Sequence, residues 1–153
     1  MTRQPELALA LLRLMLGVVF ALHGVQAIFL KGLGPVTEQF RAWHVPLPLL
    51  TAPLVATLQI AGGVLLVLGL GARPIALALA GVMVGAIYFA HWGKDFFGTS
   101  GAELPSVLLV AALAIALGGA GKPSFDQLTR GAAGSYKPAA PLPKARAGKG
   151  KSA

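Results

Sequence analysis

The stretch "LALALLRLMLGVVFALHGVQAIFL" (Leu7–Leu30) runs for twenty-four residues with one charge, one imidazole and one carboxamide. As a helix it would extend about 36 Å at 1.5 Å per residue. A bilayer core of about 30 Å needs about twenty apolar residues, so this segment reads as a transmembrane helix. Arg3, Arg13 and then Leu14–Leu22 imitate the start of a cleaved leader. The apolar run, however, begins at Leu7 and continues past Val25-Gln26-Ala27 through Ile28-Phe29-Leu30, which favours a retained span.

The rest of the chain agrees. Of its 153 residues 56% are hydrophobic and 12% charged, against roughly 25% charged in a soluble domain. Mean hydropathy is +0.73. A second span is expected over about 51–71, a third over 74–92 opened by Pro74, and a fourth over 104–121 ending at Gly118, Gly119 and Gly121. Pro53 falls early in the second, where a missing N–H costs little. The expected fold class is therefore all-α: an integral membrane four-helix bundle occupying residues 1–130.

Charge placement gives an orientation. The net charge is +8, and the last 32 residues hold seven Lys or Arg. Arg3, Arg73 and that tail fall on one side, while Lys31, Arg41 and Lys94 on the other are offset by Glu38, Asp95 and Glu103. The positive-inside rule then makes both termini cytoplasmic. No aromatic-basic platform accompanies the charge, so nucleic acid is not an expected partner. "SFDQ" (Ser124–Gln127) matches a capping box, and predicts a short helix to about Arg130. Residues 131–153 are Ala, Gly, Pro and Lys with little to bury, and are expected to form a disordered basic tail.

Between the first two spans, "PVTEQFRAWH" places Val36, Phe40 and Trp43 at i, i+4 and i+7, opposite Glu38, Gln39 and Arg41. This predicts a short amphipathic helix at the interface, read either as a plain anchor or as a lid over one end of the bundle.

Polar residues inside the spans are the functional candidates. At 1.5 Å per residue His23 lies about 24 Å above Leu7 and His91 about 25 Å above Pro74. Gln59 on the descending second span falls slightly below them. Gln26 shares a face with His23, Tyr88 shares one with His91, and Glu103 opens the fourth span. The six are expected to converge in one outer layer facing the bundle interior. Two readings stand: a ligand pocket, or hydrogen-bonding glue between helices. Arg13, nearer the other end, either snorkels to headgroups or makes an inner-face contact. Gly17, Gly24 and the Gly81/Gly85 pair read as packing positions, and Gly62-Gly63 as packing or as room for a flat ring. A weak echo, "FALHG" against "FAHWG" and "GLGARP" against "GGAGKP", suggests a duplicated hairpin relating His23 to His91.

In its order of segments the chain resembles the DoxX family over residues 7–128. The likeness rests on "LLRLMLGVVFALHGVQAIF", "LVATLQIAGGVLLVLGLGARP", "HWGKDFF" and "GAGKPSFD". It implies a small four-span protein of a prokaryotic plasma membrane, linked through thiosulfate:quinone oxidoreductase to quinone redox chemistry. The family often carries a Lys where this chain has Ala27, and a Glu where it has Gln59. Those departures remove a cation and a carboxylate, and leave His23 as the proton-exchanging candidate.

Three functions follow as expectations. The first is an accessory or scaffold subunit of a membrane-associated complex. The second is a subunit docking a quinone among His23, Gln26, Gln59 and His91 for a redox partner. The third is a small-solute or lipid transporter component. Lipid is an expected partner throughout, and self-association is a further expectation. No intrinsic cofactor or metal is expected: the chain has no cysteine and no flavin or metal motif. Matching heights of His23 and His91 are the sole ground for a haem.

Overall fold

The computed structural model describes residues 3–93, 96–98 and 101–124, and all regular structure among them is helical. Helix α1 (Arg3–Val25) runs on as a π-helical turn, Gln26–Lys31, and stops at Gly32, whose φ of +84° suits glycine. Then come the short α2 (Leu33–Ala42), α3 (Pro48–Leu68), α4 (Ala72–Gly85) with its own π turn over Ala86–Ala90, and α5 (Glu103–Gly118). Three stretches, Gln4–Lys31, Pro48–Leu68 and Ala72–Ala90, are long and apolar enough to cross a bilayer. The chain is a membrane-embedded helical bundle.

Several boundaries differ from expectation. The second span begins three residues early because Pro48 takes the first helical position, which leaves Pro53 inside the helix. The third begins at Ala72, and α5 ends at Gly118 rather than 121. Its sixteen residues reach about 24 Å, short of the hydrocarbon thickness. The reason lies beyond its end. Gly119, at φ +92°, turns the chain across α1, and a Cβ on Gly121 would collide with the Glu6 carbonyl and the Ala10 nitrogen. Residues 125–130 and the tail at 131–153 lie outside the described residues.

The four long helices form a ring in the order α1, α3, α4, α5, with α1 packed chiefly on α3 and α4 chiefly on α5. In a bilayer, lipid is as apolar as leucine, so close approach rather than water exclusion holds helices together. Glycine supplies that approach between α1 and α3. A Cβ on Gly63 would stand 2.5 Å from the Gly17 carbonyl, and one on Gly24 would stand 2.6 Å from the Ala56 carbonyl. Gly62 packs against Ile75 and Leu79 of α4. Thus Gly17, Gly24 and Gly62-Gly63 are packing positions. Gly81 and Gly85 are not: nothing lies within 4 Å of either virtual Cβ. They face open space.

The core takes one large, fully buried side chain from each long helix: Phe20, Leu66, Leu79 and Ile115. All four belong to the half of the bundle nearest the α3–α4 turn. The start of α1 and the segment after α5 meet at the same end, where the Lys122 N–H donates to the Glu6 carbonyl (3.2 Å) and the two side chains form an ion pair at 3.0 Å.

Arg13 also belongs to this end, and it does not snorkel. It is 2% exposed. Its guanidinium donates to the carbonyls of Leu66, Val67 (2.8 Å) and Pro123 (2.9 Å). The last carbonyls of a helix lack intrahelical partners and carry its negative dipole end, so a cation there satisfies both. Gly69 makes room. At φ +73° it closes α3 with bonds from its own N–H to Leu66 and from the Leu70 N–H to Leu65. A Cβ at Gly69 would strike the guanidinium. The expected inner-face contact of Arg13 is therefore with the protein's own backbone.

Candidate functional site

Away from that packed end, α3 and α4 lean apart and the ring opens into a cavity of about 790 Å³. Phe20 and Met83, both buried, stand at its packed-end side. Helix α2 lies across the other end, with Val36, Phe40 and Trp43 on the cavity wall. That is the lid arrangement. Its hydrophobic face turns inward as spaced, while Glu38 and Arg41 pair with each other on the exposed side (2.6 Å). Gln39, expected outside, also lines the cavity.

Five of the six candidate polar residues line this one space: His23, Gln26, Gln59, His91 and Glu103. They come from four parts of the bundle: His23 stands on α1 and Gln26 opens the π turn that continues it, Gln59 stands on α3, His91 just past the α4 π turn, and Glu103 at the first position of α5. His23 and Gln26 are exposed, part of that surface being cavity wall, and the other three are half-buried. Because α1 and α4 occupy opposite corners of the ring, the two imidazoles approach the cavity from opposite sides.

Tyr88 does not join them. It is 59% exposed and packs its ring on Phe89 (4.9 Å) and Trp92 (5.7 Å). The expectation that it shares a face with His91 assumed α-helical pitch. The π turn over Ala86–Ala90 widens the helix, so residues three apart no longer align. Phe89 lines the cavity instead. The sequence echo is also imperfect in space: His23 precedes its π turn, whereas His91 follows its own.

Both imidazoles are held by their own helices. The His91 Nδ1 lies 2.9 Å from the Ala86 carbonyl, and the His23 Nδ1 lies 3.3 Å from the Val19 carbonyl. A carbonyl only accepts, so in each ring Nδ1 carries the proton and donates. In the neutral tautomer this leaves Nε2 as a bare acceptor. Among the described residues these polar side chains make no hydrogen bond from one helix to another.

Two further polar groups escaped the sequence reading. Lys31 and Thr51 line the cavity. Lys31 lies one turn beyond Ala27, so a cation reaches the wall from the neighbouring turn although position 27 lacks one. Its place at the end of an apolar run marked it as a boundary charge; only the π turn and α2 fold it inward. No group of three or more His, Cys, Asp or Glu among the described residues could hold a metal ion.

An all-helical membrane bundle, closed at one end and hollow under a short lid helix at the other, is thus the class of protein. The DoxX family profile matches residues 8–92, and the chain belongs to that family. A Bacillus subtilis (strain 168) protein named "Putative oxidoreductase CatD" is 29% identical over 119 residues, covering 78% of this chain and 84% of the relative. No solved structure matches the chain.

Proposed function

We propose that the protein is an accessory subunit of a membrane redox assembly, and that its cavity docks a quinone-type ring while a partner protein handles the electrons. The carrying observation is the cavity itself. Its volume falls within the roughly 300–1,000 Å³ usual for ligand pockets. Its wall is mostly apolar with a few convergent hydrogen-bonding groups. Family membership and the relative's oxidoreductase name support the same direction.

The donor set suits such a ring. Carboxamide N–H groups of Gln26 and Gln59 can donate to ring carbonyl oxygens, and the bare Nε2 atoms of His23 and His91 can take a hydroxyl proton. A quinone supplies two-electron, two-proton exchange once bound. The residues named here orient it, exclude water and hold protons. Helix α2, with Trp43, screens the mouth. The buried core beneath Phe20 and Met83 closes the other end, which favours docking over passage of a solute.

Orientation completes the reading. Arg73 and Lys122 stand at the packed end with the start of α1, so that end is proposed as cytoplasmic and the cavity as facing outward in a prokaryotic plasma membrane.

Purification in mild detergent with mass spectrometry of extracted quinones is the direct test. Titration with a soluble benzoquinone should quench Trp43 fluorescence in the wild type and not in a Trp43→Phe variant. Absence of both co-purified quinone and quenching would rule the proposal out.

A further inference from the structure

The cavity is elongated, and its two ends differ in chemistry. On α4 its wall comprises Ala78, Gly81, Val82, Gly85, Ala86 and Phe89. Ala78, Gly81, Val82 and Gly85 recur at three- and four-residue steps in a stripe about 10 Å long, and Ala86 and Phe89 continue the wall through the π turn. Toward the lid the cavity meets Lys31, Gln39, His91 and Glu103. Toward the packed end the wall is mostly apolar, with Ala78, Leu58, Leu108 and Met83, and Gln59 beside Leu58 is its polar side chain.

The apolar half is also open at the side. Gly81 and Ala78 are exposed although they line the cavity, and Leu54 on α3, nearer the lid at about the level of Gly85, is 65% exposed and lines it too. Close contact between α3 and α4 lies nearer their connecting turn, where Gly62 meets Ile75 and Leu79. Above that point the glycines leave a gap. Nothing stands within 4 Å of a Cβ at Gly81 or Gly85. Side chains added there start in open space and extend from the α4 wall of the slot.

We infer that this slot between α3 and α4 passes the hydrocarbon tail of the ring ligand into the bilayer, and that Gly81 and Gly85 decide whether a tailed ligand can seat. The inference rests on the ring-docking proposal and refines its substrate to a lipid-dissolved, tailed quinone. Continuity of the slot with the polar chamber argues for one amphiphile spanning both. The tail gains little by leaving lipid for an equally apolar wall. The slot therefore acts by permission: it lets the head seat without forcing the tail through the lid.

The test compares a tail-less benzoquinone with the same ring carrying a decyl or isoprenoid tail, read by Trp43 quenching in detergent-solubilised full-length protein. Wild type is expected to bind both. Gly81→Leu with Gly85→Leu should hold tail-less binding within about twofold and weaken the tailed ligand by about tenfold or more, through overpacking of the slot. Gly81→Ala, which leaves most of the space, should bind both. The melting temperature of each variant, expected to be unchanged or raised because leucine and alanine are better helix formers than glycine, verifies folding. Equal weakening of both ligands, or no weakening of either, overturns the tail slot while the docking proposal stands. If wild type fails to bind the tail-less ring, the docking proposal falls and the slot with it.

Discussion

Arg13 and Val67 meet across fifty-four positions of sequence: a guanidinium N–H on α1 donates at 2.8 Å to a carbonyl in the last turn of α3. The same group holds Leu66 and Pro123, so one side chain joins α1, the end of α3 and the segment after α5. Net contributions of hydrogen bonds to charged groups are about 1.5–3 kcal/mol each, and they are not additive. Arg13→Leu should lower stability by about 3 kcal/mol, and Arg13→Lys should recover only part, because an ammonium cannot reach three divergent carbonyls. By contrast, Glu6→Gln should cost less than about 1 kcal/mol, since the Glu6–Lys122 pair is 39% and 60% exposed and screened. Thermal unfolding in detergent measures both. Equal effects from the two substitutions would refute the clasp.

Glycines that look alike in sequence should respond in opposite directions. Gly63→Ala places a methyl 2.5 Å from the Gly17 carbonyl and the Ala21 nitrogen, backbone atoms that cannot move aside cheaply. A loss of about 1–3 kcal/mol is expected from the forced separation of α1 and α3. Gly85→Ala meets nothing within 4 Å and should gain up to about 1 kcal/mol from helix propensity. Melting temperatures of the two single variants decide the matter.

His44 offers a stabilising change. It adopts φ +57° at the end of α2, where its N–H bonds the Arg41 carbonyl and the Val45 N–H bonds the Phe40 carbonyl. This is the position at which helices commonly use glycine. A left-handed conformation costs a side-chain-bearing residue about 1–2 kcal/mol, whereas glycine loses about 0.5–1 kcal/mol in chain entropy. His44→Gly should therefore raise stability by about 0.5–1 kcal/mol and leave quinone quenching unchanged. A drop in melting temperature would show that the imidazole itself contributes.

Cavity polar groups should separate binding from stability. His23→Leu removes one long bond within its own helix and, among the described residues, no bond to another helix. Its melting temperature, and that of Gln59→Leu, should stay within a few degrees of wild type while ring binding falls by about tenfold. A large fall in stability without loss of binding would favour the glue reading over the pocket.

Hydropathy and punctuation sufficed for much of the fold. A run such as Leu7–Leu30 has one low-energy outcome in a bilayer, since its backbone must bond internally, and Gly69 and Gly119 end helices by local conformational rules. The helical class, the existence of the short amphipathic helix and the span to which each polar residue belongs are properties of short segments, and short segments reveal them. Placement of Tyr88 failed because a π turn alters pitch without changing composition. Arg13 was legible as an anomaly, but its partners lie fifty-three residues or more away.

Tertiary structure alone decided which residues share a space. Gly17 and Gly63 bring α1 and α3 together, while Gly81 and Gly85, the same residue type at helical spacing, are left facing the hollow. Nothing in the local chain distinguishes the two pairs. The difference comes from how four rods tilt against one another, and that tilt is set by contacts among segments distant in sequence.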